Sequence, residues 1–166
     1  LNNLFFIIKT NGFANKKAWA KLCSSVDAVN MDIKGNAQKY QELSGGFNGE
    51  EAYSCILSNS MYCSQVAGTH LEISIPVFNE LSQKDYEKIV VDLSFSCQQS
   101  TPLHLLKVFP ANRTIDVPAT IDEKLKKVYD HAKKYFDFVY VHGVFGLENQ
   151  YRDTVCPKCK SIVATR

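Results

Sequence analysis

Along this chain, short β-branched or aromatic runs alternate with longer stretches whose apolar residues recur every three or four positions. Residues 4–9, beginning Leu4-Phe5-Phe6-Ile7-Ile8, read as a buried strand, and Thr10-Asn11-Gly12 as the turn after it. A helix over 15–24 places Ala18, Trp19, Leu22 and Cys23 on one face, and residues 28–34 form a second strand. Gly45-Gly46 then breaks the chain. The next helix starts near Asn48, with Glu51 placed to complete a capping box and Ala52, Tyr53, Ile56, Leu57 and Met61 as its stripe. A third strand spans 69–77. Ser82 with Asp85 opens a helix carrying Tyr86, Ile89, Val90 and Leu93. A fourth strand spans 103–108. Thr120 and Glu123 give a second capping box before Ile121, Leu125, Val128, Tyr129, Ala132, Tyr135 and Phe136, and a last strand covers 138–141.

Strands alternating with helices imply right-handed crossovers and a mostly parallel sheet, an α/β fold. The units are too few to close an eight-stranded barrel, so we expect an open or partial one over residues 1–142, followed by a tail over 143–166. Parallel strands covered on both sides are normally apolar throughout. Two strands here are not. Asn30, Asp32 and Lys34 share one face of the second strand, and His70, Glu72 and Ser74 one face of the third. Ionisable rows are costly in a dry interior unless they meet a ligand or a partner charge; the alternative is an edge strand with one wet face. Ligands of barrels sit at the C-terminal strand ends, where Asp32 and Lys34 fall. A lysine there holds a ligand carboxylate with the aspartate orienting it, or the two pair with neighbours in the sheet.

Composition narrows this little. Of 166 residues, 45% are hydrophobic and 22% charged, with a formal net charge of +2. No basic stripe with interleaved aromatics favours nucleic acid as partner, and no apolar run approaches the roughly 18–20 residues of a membrane helix. The chain opens at Leu1, not Met, directly into an apolar run, which gives the expectation that it is the later part of a longer polypeptide. Six cysteines stand at 23, 55, 63, 97, 156 and 159. The irregular spacing of the first four suits buried thiols in a reducing, cytoplasmic setting. Cys156-Pro157-Lys158-Cys159 supplies two of the four ligands of a zinc site, or a redox pair, or idle thiols.

Several of these motifs occur together in one known family. Thr10-Asn11-Gly12-Phe13, Val29-Asn30-Met31-Asp32-Ile33-Lys34-Gly35 and Tyr40-Gln41-Glu42-Leu43 resemble the later strands of glycyl-radical-enzyme activases. The tail, from Gly143 through Tyr151-Arg152-Asp153-Thr154-Val155-Cys156-Pro157-Lys158-Cys159 to Arg166, is similar to the end of AmmeMemoRadiSam-system radical S-adenosylmethionine (radical SAM) enzymes. The resemblance implies the later βα units of a partial (β/α)6 barrel of TIM-like, radical SAM type. Such a barrel holds S-adenosylmethionine against a 4Fe-4S cluster, which yields a 5′-deoxyadenosyl radical acting on a substrate or partner protein. It places Lys34 at the methionyl carboxylate with Asp32 beside it, and brings Asn30, Thr10, Asn11 and Lys107 to the cofactor pocket. Three departures accompany it. The CxxxCxxC loop that binds the cluster is absent, so this chain alone is expected to be inactive. Lys9 stands where activases can carry a ribose-binding aspartate, and Phe109 where a family histidine aligns, leaving His104 to read as a structural histidine. The competing reading is a cluster-free binding or scaffolding domain of the same fold.

Overall fold

The structure is a computed structural model and describes residues 4–111, 115–144, 146 and 148–165. Its elements are β1 (Ile7–Thr10), α1 (Lys16–Cys23), β2 (Ala28–Asp32), α2 (Ala37–Ser44), α3 (Gly49–Met61), β3 (His70–Val77), α4 (Gln83–Ser96), β4 (Leu103–Lys107), α5 (Asp122–Ala132) and β5 (Val139–His142). A π-helical turn, Tyr62–Val66, continues α3, and β6 (Thr154–Val155) with β7 (Ile162–Ala164) makes an antiparallel hairpin in the tail. Leu1 and Arg166, the ends of the sequence, lie outside the described residues.

Strands β1 to β5 are all parallel and lie side by side in sequence order. Right-handed crossovers that always advance in the same direction leave every helix on one face of such a sheet. That face carries Val29, Met31, Ile73, Ile75, Leu103, Leu105, Val139 and Val141. They form one core with Trp19, Ile56, Tyr86, Ile89, Leu93, Leu125 and Val128 from the helices. The fold is thus a mixed α/β arrangement on a parallel five-stranded sheet, as the alternation of patterns implied.

Polar anchors fix how the helices sit. The buried Trp19 indole donates to the carbonyl of Asn59 at 2.9 Å, tying α1 to α3. Asn15, Asn36 and Asn48 cap α1, α2 and α3 through their side chains, and Ser82 with Asp85, expected to open α4, forms a reciprocal capping box there.

Three expectations need correction. Thr120 does not cap α5, whose N-cap is Ile121 with no side-chain bond. The Thr120 hydroxyl instead donates to the carbonyl of Val77 and accepts from Val108 N–H at 2.8 Å, stitching the ends of β3 and β4. Satisfying two backbone groups in the interior outweighs a solvent-exposed cap. Helix α2 was not foreseen, because Tyr40 is the one buried side chain among its described ones and no apolar stripe marks it. Finally, Leu4, Phe5 and Phe6 precede β1 rather than forming it, with their side chains exposed. The Phe6 backbone donates to Asp27 Oδ2 at 2.7 Å and accepts from the N–H groups of Asp27 at 2.9 Å and Ala28 at 3.3 Å.

Candidate functional site

The face of the sheet opposite the helices is polar. Strand register aligns Lys9 with Asn30 and Asn30 with Glu72. One pleat further, Asp32, Ser74, His104 and Tyr140 form a row across β2 to β5. The alternation seen in the second and third strands therefore continues into β4 and β5. There it was hidden, because one histidine between leucines carries no periodic signal.

On β1 and β2 the row is ionic. Asp32, with a side chain only 15% exposed, stands between two ammonium groups: Lys34 Nζ at 2.9 Å from Oδ2 and Lys9 Nζ at 3.1 Å from Oδ1. The Lys34 contact is a hydrogen bond. The Lys9 contact is close enough to be an ion pair, and Oδ1 is itself buried and accepts no hydrogen bond. The end of β2 is held by α2: Lys34 N–H donates to the Tyr40 hydroxyl at 2.9 Å. Burial pushes the Tyr40 phenol up to about 12, so it stays a neutral clamp. Gly35 follows at φ +147°, where an added Cβ would stand 2.7 Å from Lys39 Cβ.

On β3 to β5 the row is an imidazole–carboxylate chain. Glu72 Oε2 lies 3.1 Å from His104 Nε2, and His104 Nδ1 lies 2.9 Å from His142 Nε2. The other Glu72 oxygen lies 3.3 Å from His70 Nε2. His104 is buried and stacks on Tyr140 at 5.3 Å between ring centres. Partial burial works to raise the Glu72 carboxyl, but the hydrogen bonds and positive charges of His70 and His104 outweigh it and hold the group below its ordinary value. A neutral link joins the two halves: the Ser74 hydroxyl donates to Asn30 Oδ1 at 3.0 Å.

The remaining site residues fall into distinct places. Thr10 Oγ1 accepts from Gly12 N–H at 3.2 Å and Asn11 Oδ1 from Phe13 N–H at 3.1 Å, so both side chains shape the loop after β1. Asn59 of α3 pins that loop by donating to the carbonyls of Gly12 and Ala14 at 2.8 and 2.9 Å. Lys107 is registered with Val77 on the helix-covered face and pairs with Asp122 at 2.6 Å, away from Asp32 and Lys34. Phe109 lies near it, its ring 5.5 Å from the Lys107 ammonium. Neither joins the polar row.

Cys156 and Cys159 occupy the turn between β6 and β7, with Cys159 Sγ 2.9 Å from Ser161 Oγ. Hydrogen bonds from Ser161 and Cys156 bring the exposed Cys159 thiol down to about 7. Among the described residues no group of three or more His, Cys, Asp or Glu side chains could hold a metal ion. A zinc ion needs about four ligands, so the zinc expectation for Cys156 and Cys159 lacks its other half. Burial pushes the Cys63 and Cys97 thiols up to about 12, which marks them as inert core residues.

Comparison with known proteins places this arrangement. The structure superposes on the crystal structure of a domain of pyruvate-formate lyase-activating enzyme from Bacteroides vulgatus with a TM-score of 0.66, covering 82% of this chain and 80% of that one. The chain has the fold of that domain. Sequence identity in the superposition is 15%, so the likeness speaks to fold alone. In sequence, the chain is 28% identical over 169 aligned positions to an uncharacterized protein of Methanocaldococcus jannaschii. The match takes in 99% of this chain but 47% of that protein, so the chain spans about half of its relative's length. No family model matches. Among the described residues, no helix is long and apolar enough to cross a membrane.

Proposed function

We propose that this chain is the cofactor-binding later part of a radical SAM enzyme of the activase kind, its sheet forming one side of a partial (β/α)6 barrel. The observation that carries the reading is Asp32 held between Lys9 and Lys34 at the C-terminal end of β2. One carboxylate and two ammonium groups leave one net positive charge. An α-amino acid end group matches this set in charge: its carboxylate is complementary to the Lys34 ammonium and its ammonium to the Asp32 carboxylate. The methionyl end of S-adenosylmethionine has that chemistry. Asn30 lies one pleat deeper on the same face, while Thr10 and Asn11 fix the loop over the neighbouring strand end.

S-adenosylmethionine held here would be the source of radical chemistry only beside a 4Fe-4S cluster supplied from elsewhere. The six cysteines of this chain do not fit such a cluster, since none are spaced CxxxCxxC. Its own residues therefore bind and orient the cofactor, and radical formation lies outside what they do. The solved neighbour is named as an activating enzyme for another protein. By that likeness we propose a protein substrate or system partner for the complete machine.

Calorimetric titration of the purified chain with S-adenosylmethionine tests the reading. We expect one site, weakened roughly tenfold or more by Lys34→Ala or Asp32→Asn, since each removes one partner of a charged pair. Wild-type protein that takes up no ligand, or variants that bind as well as it does, would remove the basis for this function.

A further inference from the structure

Cofactor gripping uses strand ends of the sheet and leaves the tail hairpin without a task. Its turn carries two of the six cysteines and is built around them. Cys156 N–H donates to the Ser161 carbonyl at 2.9 Å, and Lys160 N–H donates to the Cys156 carbonyl at 3.0 Å. Lys160 takes φ +60° there, the one positive φ among the described non-glycine residues. A bond from residue i+4 back to residue i closes one helical turn, in which residues i and i+3 share a side. Ideal geometry sets their Cα atoms about 5 Å apart, within the roughly 4.4–6.8 Å that a disulfide spans. Here those residues are Cys156 and Cys159, and their thiols already meet in a hydrogen bond. The two differ in access. Cys159 is exposed and Cys156 half-buried, the division expected of an attacking and a resolving thiol. Exposed Lys158 and Lys160 flank Cys159, and no acidic residue lies between Thr154 and Ala164.

We propose that Cys156 and Cys159 form a dithiol site that exchanges with carboxylate-bearing, low-molecular-weight disulfides and closes reversibly to an intrachain disulfide. The co-reactant R–S–S–R is the oxidant. Cys159 thiolate attacks one of its sulfurs; the R–S–S–R bond breaks, and the first RS⁻ leaves with the bonding pair and takes up a proton. Cys156 then gives its proton to solvent and attacks Cys159 Sγ. The bond from Cys159 to R breaks, and the second RS⁻ leaves and is protonated. In sum, two protein thiols and one R–S–S–R become one protein disulfide and two R–S–H, with two electrons passed to the small molecule. Excess thiol reverses each step. Brought down to about 7, the Cys159 thiol is partly thiolate at neutral pH, which suits the attacking role. The lysines on either side favour an anionic co-reactant. Cys23 and Cys63 also meet, but burial raises both thiols, so they are an internal control.

The proposal does not depend on S-adenosylmethionine and is tested without it. The reduced full chain is treated with glutathione disulfide at neutral pH, quenched in acid, alkylated in denaturant and read by intact and peptide mass spectrometry. We expect the wild type to lose two hydrogens, with Cys156 and Cys159 joined and the other cysteines alkylated. Cys156→Ser should stop at a single glutathione adduct on Cys159, and Cys159→Ser should react about tenfold more slowly or less. Both positions lie outside the core, and the wild-type product alone already reads the pairing. At low salt glutathione disulfide should outpace the neutral hydroxyethyl disulfide, by a margin that closes at high salt. A wild type that stalls at the mixed disulfide, takes up no glutathione or joins other cysteines overturns the site. So does a Cys159→Ser variant as fast as wild type. A margin that salt leaves unchanged overturns the anionic co-reactant.

Discussion

Lys9 of β1 reaches Asp32 of β2 at 3.1 Å although its register partner is Asn30, two residues earlier. The ion pair is diagonal, spanning one repeat of the pleat. It brings a second ammonium group to Asp32, whose other carboxylate oxygen is engaged by Lys34. Because the Lys9 side chain is 59% exposed, we expect Lys9→Ala to change folding stability by no more than about 1 kcal/mol in urea titration. Its effect on S-adenosylmethionine binding should be smaller than that of Lys34→Ala. Equal or larger loss would reassign the carboxylate grip to Lys9.

Gly35 is the hinge of that grip. At φ +147°, and with Lys39 Cβ only 2.7 Å from the position an added methyl group would take, Gly35→Ala meets both backbone strain and a clash. A cost on the order of 1–3 kcal/mol is expected in chemical denaturation. Calorimetry on the folded fraction should also show weaker ligand binding, as the Lys34 backbone shifts off Tyr40.

Thr120 offers a test of the β3–β4 stitch. Thr120→Val keeps the shape but strands the Val77 carbonyl and the Val108 N–H, at an expected cost of about 1–3 kcal/mol. Thr120→Ser keeps the hydroxyl and should recover most of that loss. If serine is as damaging as valine, the methyl group rather than the hydrogen bonds is what matters.

The Glu72 carboxyl is held below its ordinary value, so its stabilising contribution is complete above the unfolded glutamate pKa, about 4.3, and fades as pH falls through the lower folded value. The stability difference between wild type and Glu72→Gln should therefore shrink as pH falls below roughly 4. Urea midpoints at several pH values measure it. A gap that widens in acid contradicts the sign.

Thiol reactivity should separate the six cysteines. Cys159 is exposed with its thiol brought down to about 7, whereas Cys63 and Cys97 are buried and pushed up to about 12. Brief iodoacetamide treatment at about pH 7.4, followed by peptide mass spectrometry, should label Cys159 first and leave Cys63 and Cys97 unlabelled. Labelling of all six at one rate would mean that the hairpin is not formed as described.

Residue order alone was enough for the α/β class, because β2, β3 and most helices bury a regular face that leaves its period in the chain. It was also enough to group Asn30, Asp32 and Lys34, since alternation along a single strand is a local property. Helix α2 escaped, having one buried side chain among its described ones. Thr120 was misassigned for a related reason. A capping pattern is local, while the backbone groups that Thr120 serves stand at the ends of β3 and β4, 43 and 12 residues away. Which strands stand side by side emerged with the folded sheet. That adjacency brings Lys9 to Asp32 and joins Glu72, His104 and His142 from three strands. It also turns Lys107 to Asp122 on the other face. Contacts between separate strands depend on register, and register is set by the packing of the whole sheet rather than by any one segment.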